Sequence, residues 1–196
     1  MVLPIIGYGA IVLKTKAKEI TVDYPELNKL ILDMYETMYD ASGVGLAAPQ
    51  IGKSIRLFVI DTSPFDTDDF EQNSGFEVKS VKKTFINPVM IDESGENASF
   101  EEGCLSIPNI REHINRKSDI TIKYQDENFT HHQETFSGIL ARVIQHEYDH
   151  LEGTLRVFNY KWHSYRFFIH KPFVKPSMLT YKKSLIRGVY NNCIVL

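Results

Sequence analysis

Residues 138–153, GILARVIQHEYDHLEG, constrain this chain more than any other stretch. With a helical advance of about 100° per residue, Ile139, Leu140, Val143, Ile144 and Leu151 fall in one arc. Arg142, Gln145, Asp149 and Glu152 fall in the opposite one. His146, Glu147 and His150 break the pattern: the histidines land at the edge of the apolar arc, beside Ile139 and Val143, and Glu147 lands inside it. Three inward polar groups are costly to bury without partners. Histidines four apart on a helix share a face and can reach one metal ion, with the glutamate leaning over it. A chance H-E-x-x-H on an ordinary amphipathic helix would leave that cost unmet. The sequence therefore predicts a fold built around a buried metal-binding helix.

The rest of the chain sets bounds on what that site serves. Its 196 residues, 43% hydrophobic and 24% charged, suffice for one compact domain with a substantial core. A formal net charge of −3 with no long run of one sign argues against specific nucleic-acid or membrane-surface binding as the main activity. No apolar run reaches the length that spans a bilayer. The opening MVLPIIGYGAIVLKTK lacks the basic leader, small-residue cleavage site and Arg/Ser bias of export or transit segments. Cys104 and Cys193 are too few for a disulfide framework. A bacterial-type cytoplasm is the expected location.

Before the central helix, Asp23 followed by Pro25 and Glu26 reads as a helix start, and Leu27, Leu30, Ile31, Met34 and Met38 continue at helical spacing until Gly43. The glycines and proline of GVGLAAPQ (43–50) suggest a tight loop, outside the strand-and-helix context of a dinucleotide fingerprint. RLFVI (56–60) reads as a buried strand, and residues 62–80, polar and turn-rich, as a surface excursion. Residues 84–91 suggest a strand broken at Pro88, and DITIKY (119–124) a further one. His131 and His132 sit in a polar stretch expected to be a solvated loop. Beyond Gly153 the chain turns aromatic and basic over 158–181; Lys182 to Arg187 suggest a short helix and Cys193 to Leu196 a terminal strand. No internal repeat appears, and the whole reads as one α+β domain, 1–196.

A catalytic zinc-type site needs three protein ligands and an open fourth position, and H-E-x-x-H supplies two. Metzincin proteases place a third histidine after a conserved glycine. Gly153 fits the glycine here, but position 156 is arginine. His163, His170 and Glu152 remain candidates by residue type. Cys104 lies upstream in a Gly-Cys turn, and its thiolate would be a strong ligand for a borderline metal. Free cysteines are commonly inert core residues, so the residues themselves leave the third ligand open.

GVGLAAPQ, EEGCLS (101–106) and QHEYDHLEG (145–153), in this order, resemble the three signature motifs of peptide deformylases of the bacterial type. The resemblance runs over residues 3–155. It implies an α+β fold with antiparallel sheets packed around the metal-binding helix. It also implies a metal-dependent hydrolase that removes the formyl group from the N-terminal formylmethionine of new polypeptides and releases formate. Cys104, His146 and His150 would bind one divalent metal, Fe(II) in the cell with Zn, Ni or Co as substitutes, and Glu147 would be the general base and acid. The Gln50 side-chain amide and the Leu105 backbone N–H would stabilise the oxyanion. Val44, Phe100, Ile139 and Val143 match a methionine pocket, Gly45 would offer its backbone to the peptide, and Arg111 sits where contacts are made further along. Glu102 and Arg116 match a supporting ion pair. N-Formylmethionyl nascent peptides would be the substrates, with the ribosome surface a further candidate partner and no specific nucleic acid or membrane.

Residues 158–196 depart from the family pattern as a divergent C-terminal tail, and the 62–80 excursion is longer than in the shortest members. Two other classes use the same helix. A zincin-like metalloprotease would cleave internal peptide bonds and need a downstream ligand. A binding module with a structural metal would close the site with a fourth protein ligand, and no second cysteine lies near Cys104.

Overall fold

The computed structural model describes residues 1–66, 80–156 and 193–195. Six strands form one sheet in the order β1 (Gly45–Ala47), β2 (Leu57–Asp61), β3 (Lys82–Cys104), β4 (Ile107–Gln125) and β5 (His131–Ser137), all antiparallel, with β6 (Cys193–Val195) joined parallel to β3. Among the described residues, two helices of 14 residues, α1 (Leu27–Asp40) and α2 (Gly138–Leu151), complete the α+β architecture. The antiparallel arrangement is thus a single sheet, and β6 adds one parallel pairing to it.

Strand β2 explains how the layers separate. Its side chains alternate: Phe58 and Ile60 join the apolar cluster that includes Ile139, Val143 and Ile144 of α2, while Leu57 and Val59 join the cluster of α1. A strand covered on both faces loses the polar alternation of a half-exposed one, which is why RLFVI reads as a continuous apolar run. Burying each such side chain is worth about 1.5–3 kcal/mol, so β2 anchors both helices.

Several local expectations change. Helix α1 begins at Leu27, because Glu26 takes a left-handed conformation (φ 54°) that ends any helix upstream of it, and no side chain caps the N-terminus. At the other end Ser42 (φ 56°), not Gly43, adopts the left-handed turn. GVGLAAPQ is more regular than a loop: it holds β1 and a short 3-10 turn, Ala48–Ile51. Pro88 does not break the strand. It falls in a bulge of β3, where Asn87 (φ 50°) turns its side chain to bond both the N–H and the C=O of Ile20. A bulge needs no ladder N–H from proline. His131 and His132 belong to β5, paired with Gln125 and Tyr124, and His132 also contacts Asp126 at 2.9 Å.

The 62–80 excursion leaves and rejoins at one point, where the Thr62 N–H donates to the Val81 carbonyl at 3.0 Å. Its middle, residues 67–79, lies outside the described residues, as do the aromatic stretch 158–181, His163, His170 and the suggested helix 182–187. The strand expected at the C-terminal end is present as β6.

Strands β3 and β4 form a long hairpin whose turn, Leu105-Ser106, follows Cys104 directly, with Cys104 opposite Ile107. Helix α2 packs against this hairpin and against β1 and β2. Gly153, at φ +71°, ends the helix run with the Lys14 backbone carbon only 2.7 Å from where a Cβ would stand. A side chain there would push the N-terminal segment away.

Candidate metal centre

Cys104 arrives at the centre from the end of β3, and His146 and His150 from successive turns of α2. Their ligand atoms lie within 4.8 Å of one another, and all three residues are buried. Cys104 Sγ stands 3.4 Å from His150 Nε2, and the two imidazole rings are 5.1 Å apart at 64°. The third-ligand question left by the helix has one geometric answer among the described residues. Arg156, at the metzincin histidine position, pairs with Asp149 at 3.0 Å, and Glu152 is taken up by Arg56 and Lys16 at 2.7 Å each.

The hydrogen-bond pattern aims the histidines. His146 Nδ1 lies 3.0 Å from Glu102 Oε2. An ionised carboxylate only accepts, so the proton sits on Nδ1 and the Nε2 lone pair is left facing the cluster. That Nε2 is buried with no hydrogen-bond partner among the described residues, as is His150 Nδ1. Burial works to raise the Glu102 pKa, but hydrogen bonds from His146 and Arg116 outweigh it and hold the carboxyl far below its ordinary range. Arg116 grips Glu102 through Nε at 2.7 Å and Nη2 at 3.0 Å, and reaches Asp149 at 2.8 Å. A carboxylate behind a ligating histidine fixes its tautomer and ring orientation.

Burial pushes His150 well below its usual pKa, which keeps it neutral. Burial also pushes the Cys104 thiol up to about 12, against a smaller opposite pull from the N–H of Ser106. A cation beside a thiol favours the thiolate. An ion bound between the three residues would supply that charge and displace the proton. The orphaned Nε2 of His146 and the donor set of one sulfur and two nitrogens both fit a divalent transition metal.

Glu147 is fully buried and neither carboxylate oxygen has a hydrogen-bond partner among the described residues. Burial drives its pKa well above the ordinary carboxylate value. Gly45 is what admits it: a Cβ on Gly45 would stand 2.4 Å from Glu147 Oε1. The glycine of β1 is therefore fixed by contact with the acidic side chain of α2. Gln50 is buried as well. Its Oε1 accepts from the Ala47 N–H at 2.8 Å, which turns the amide so that Nε2 faces Cys104 Sγ at 3.8 Å.

Val44, Phe100, Ile139 and Val143 all belong to the apolar cluster on the α2 side of the sheet. Leu105 is half-buried in the turn after Cys104, and Arg111 is exposed on β4 opposite Gly103. Two further residues come as additions. Arg142 and Gln145, assigned to the polar arc of α2, are 3% and 2% exposed. Arg142 donates to Glu102 Oε1 at 2.7 Å, and Gln145 to the Lys117 carbonyl at 3.0 Å. Helical period shows which side is polar but not that the β3–β4 hairpin covers it. The one local hint was the spacing of Arg142, one turn ahead of His146.

The chain is similar to known proteins over most of its length. A family model described as polypeptide deformylase matches residues 2–161. The chain is 56% identical over 156 residues to a peptide deformylase of Flavobacterium psychrophilum, covering 79% of this chain and 80% of that protein. To one of Karelsulcia muelleri it is 50% identical over 159 residues, covering 81% and 78%. Among solved structures, a peptide deformylase of Thermotoga maritima superposes with a TM-score of 0.67 at 39% identity, over 79% of this chain and 95% of that one. A class I type b peptide deformylase of Acinetobacter baumannii, bound to Met-Ala-Ser, superposes at 0.69 with 31% identity, over 79% and 96%.

Proposed function

Because the chain belongs to the peptide deformylase family, and so is a metal-dependent hydrolase that removes the formyl group from nascent peptides, we propose the following division of roles among its residues. Cys104, His146 and His150 hold the metal, and Glu147 moves the protons. The carrying observation is the convergence of three buried ligand atoms within 4.8 Å beside a buried, unpartnered carboxylate. Bound there, a divalent ion supplies Lewis acidity and makes water nucleophilic near neutral pH. Fe(II) is the proposed ion in the cell, with Zn, Ni or Co able to take the same donors; thiolate with imidazole suits this group.

The residues then divide the work. Glu147, without a hydrogen-bond partner among the described residues, accepts a proton from the attacking water as oxygen adds to the formyl carbon. It passes the proton to the methionine nitrogen as the C–N bond breaks, yielding formate and a free amine. The Gln50 amide, held by Ala47, and the Leu105 N–H donate to the oxyanion that forms between these events. Val44, Phe100, Ile139 and Val143 receive the methionine side chain. Gly45 offers its backbone to the peptide, and Arg111 contacts residues beyond.

The domain is read as single over 1–196, with the ribosome surface as a second partner and the cytoplasm as its place of action. Among the described residues no helix is long and apolar enough to cross a membrane. The test of the site is formate release from formyl-Met peptides by protein prepared without oxygen, with metal content measured in parallel. Release in proportion to bound metal, lost in Cys104→Ala, supports this site; full release by Cys104→Ala would point to the zincin-type ligand set instead.

A further inference from the structure

Arg142 makes three hydrogen bonds from a position only 3% exposed. Nη1 donates to Glu102 Oε1 at 2.7 Å and to the Ile114 carbonyl at 2.9 Å, and Nη2 donates to the Ala98 carbonyl at 2.6 Å. The same guanidinium stands over the Phe100 ring, 5.7 Å from its centroid. Ala98, Phe100 and Glu102 are alternate residues of β3 and share one face of the strand. One side chain of α2 therefore touches three successive positions on that face. Arg116 already satisfies both oxygens of Glu102 and is itself matched by Asp149. What Arg142 adds is the link from Glu102 to Phe100.

We propose that Arg142 is a positioning residue for deformylation, a single guanidinium that holds both the carboxylate orienting His146 and the Phe100 wall of the methionine pocket. The inference rests on the ligand and pocket roles given above. It separates two jobs by chemistry. The hydrogen bond to Glu102 steadies the metal, which charge on a lysine can partly replace. The cation–π approach to Phe100 and the further bond to Ala98 shape the pocket, and a flexible ammonium on one stem cannot reproduce both. A residue with a purely structural role would change neither metal exchange nor side-chain preference in the folded protein.

The experiment loads zinc into wild type, Arg142→Leu, Arg142→Lys and His146→Ala. It follows zinc transfer to excess chelator and measures kcat/KM on formyl-Met and formyl-Ala peptides, with circular dichroism as the check of fold. Loss of a partner behind a ligand typically costs about 10–100-fold in metal affinity, so Arg142→Leu should release zinc about tenfold faster. Pocket contacts discriminate by roughly 10–200-fold per methylene, and its Met-over-Ala ratio should fall about tenfold. Arg142→Lys should hold zinc nearly as wild type does yet lose most of the ratio. Zinc release and ratio both unchanged in a folded Arg142→Leu would overturn the role of Arg142. An unchanged ratio in Arg142→Lys would do so even if the leucine variant does not fold. Wild type releasing zinc no more slowly than His146→Ala would instead overturn the ligand assignment beneath it.

Discussion

Helices α1 and α2 have the same length and similarly clear apolar stripes, yet they do different things. On α1, Leu27, Leu30, Ile31, Met34 and Met38 are buried while Leu32 is 68% exposed and Glu36 faces solvent. Of its polar residues, Asp33 and Thr37 are buried with partners close by: Lys29 reaches Asp33 at 3.2 Å, and the Thr37 hydroxyl donates to the Asp33 carbonyl at 2.6 Å. On α2 part of the polar arc is covered too: Arg142 and Gln145 are buried, as are the inward His146, Glu147 and His150. A helix that needs only to pack keeps one face wet. One that buries five polar side chains must satisfy each, and on α2 the His146 nitrogen without a partner among the described residues faces the cluster with Cys104 and His150. Polar burial without local partners, more than amphipathicity, separates the functional helix from the supporting one.

Glu147→Gln should sharpen this contrast most. It keeps volume and hydrogen-bonding ability but removes basicity, so metal should stay near stoichiometric while formate release falls by about 10²–10⁴. Metal analysis and initial rates on the same sample check it, and near-normal release would pass the proton transfer to another group. Gln50→Ala comes next, with kcat lower by roughly 10²–10³ and KM little changed, as for loss of one oxyanion donor. A rise in KM alone would make Gln50 a binding residue. The counterpart on α1 is Met34→Ala. Met34 is fully buried in the α1 cluster, so the variant should lose about 2–5 kcal/mol of stability by denaturant unfolding. At temperatures where it stays folded, its kcat should match wild type; a large fall would show that α1 shares in the chemistry.

The sequence carried much of α2 and β2, because both signals are local: a 3.6-residue period with three inward polar exceptions, and an apolar run with no alternation. It carried less of the surroundings. Pro88 suggested a break because the bulge at Asn87 depends on Ile20, far away in the chain. His131 and His132 looked like loop because β5 is polar on its open face and gains its order from β4. The burial of Arg142 was hidden for the same reason, since the residues it meets lie on β3 and β4. Cys104 had no periodic relation to His146; only motif resemblance connected them before the fold brought β3 to α2.

The most direct test of the central claim, that Cys104 joins His146 and His150 on one ion, is X-ray absorption at the zinc edge of zinc-loaded protein. The account predicts one sulfur neighbour at about 2.3 Å and two imidazole nitrogens at about 2.0–2.1 Å, with the sulfur shell absent in Cys104→Ala. A zinc ion bound stoichiometrically by the wild type with no sulfur in its shell would contradict it.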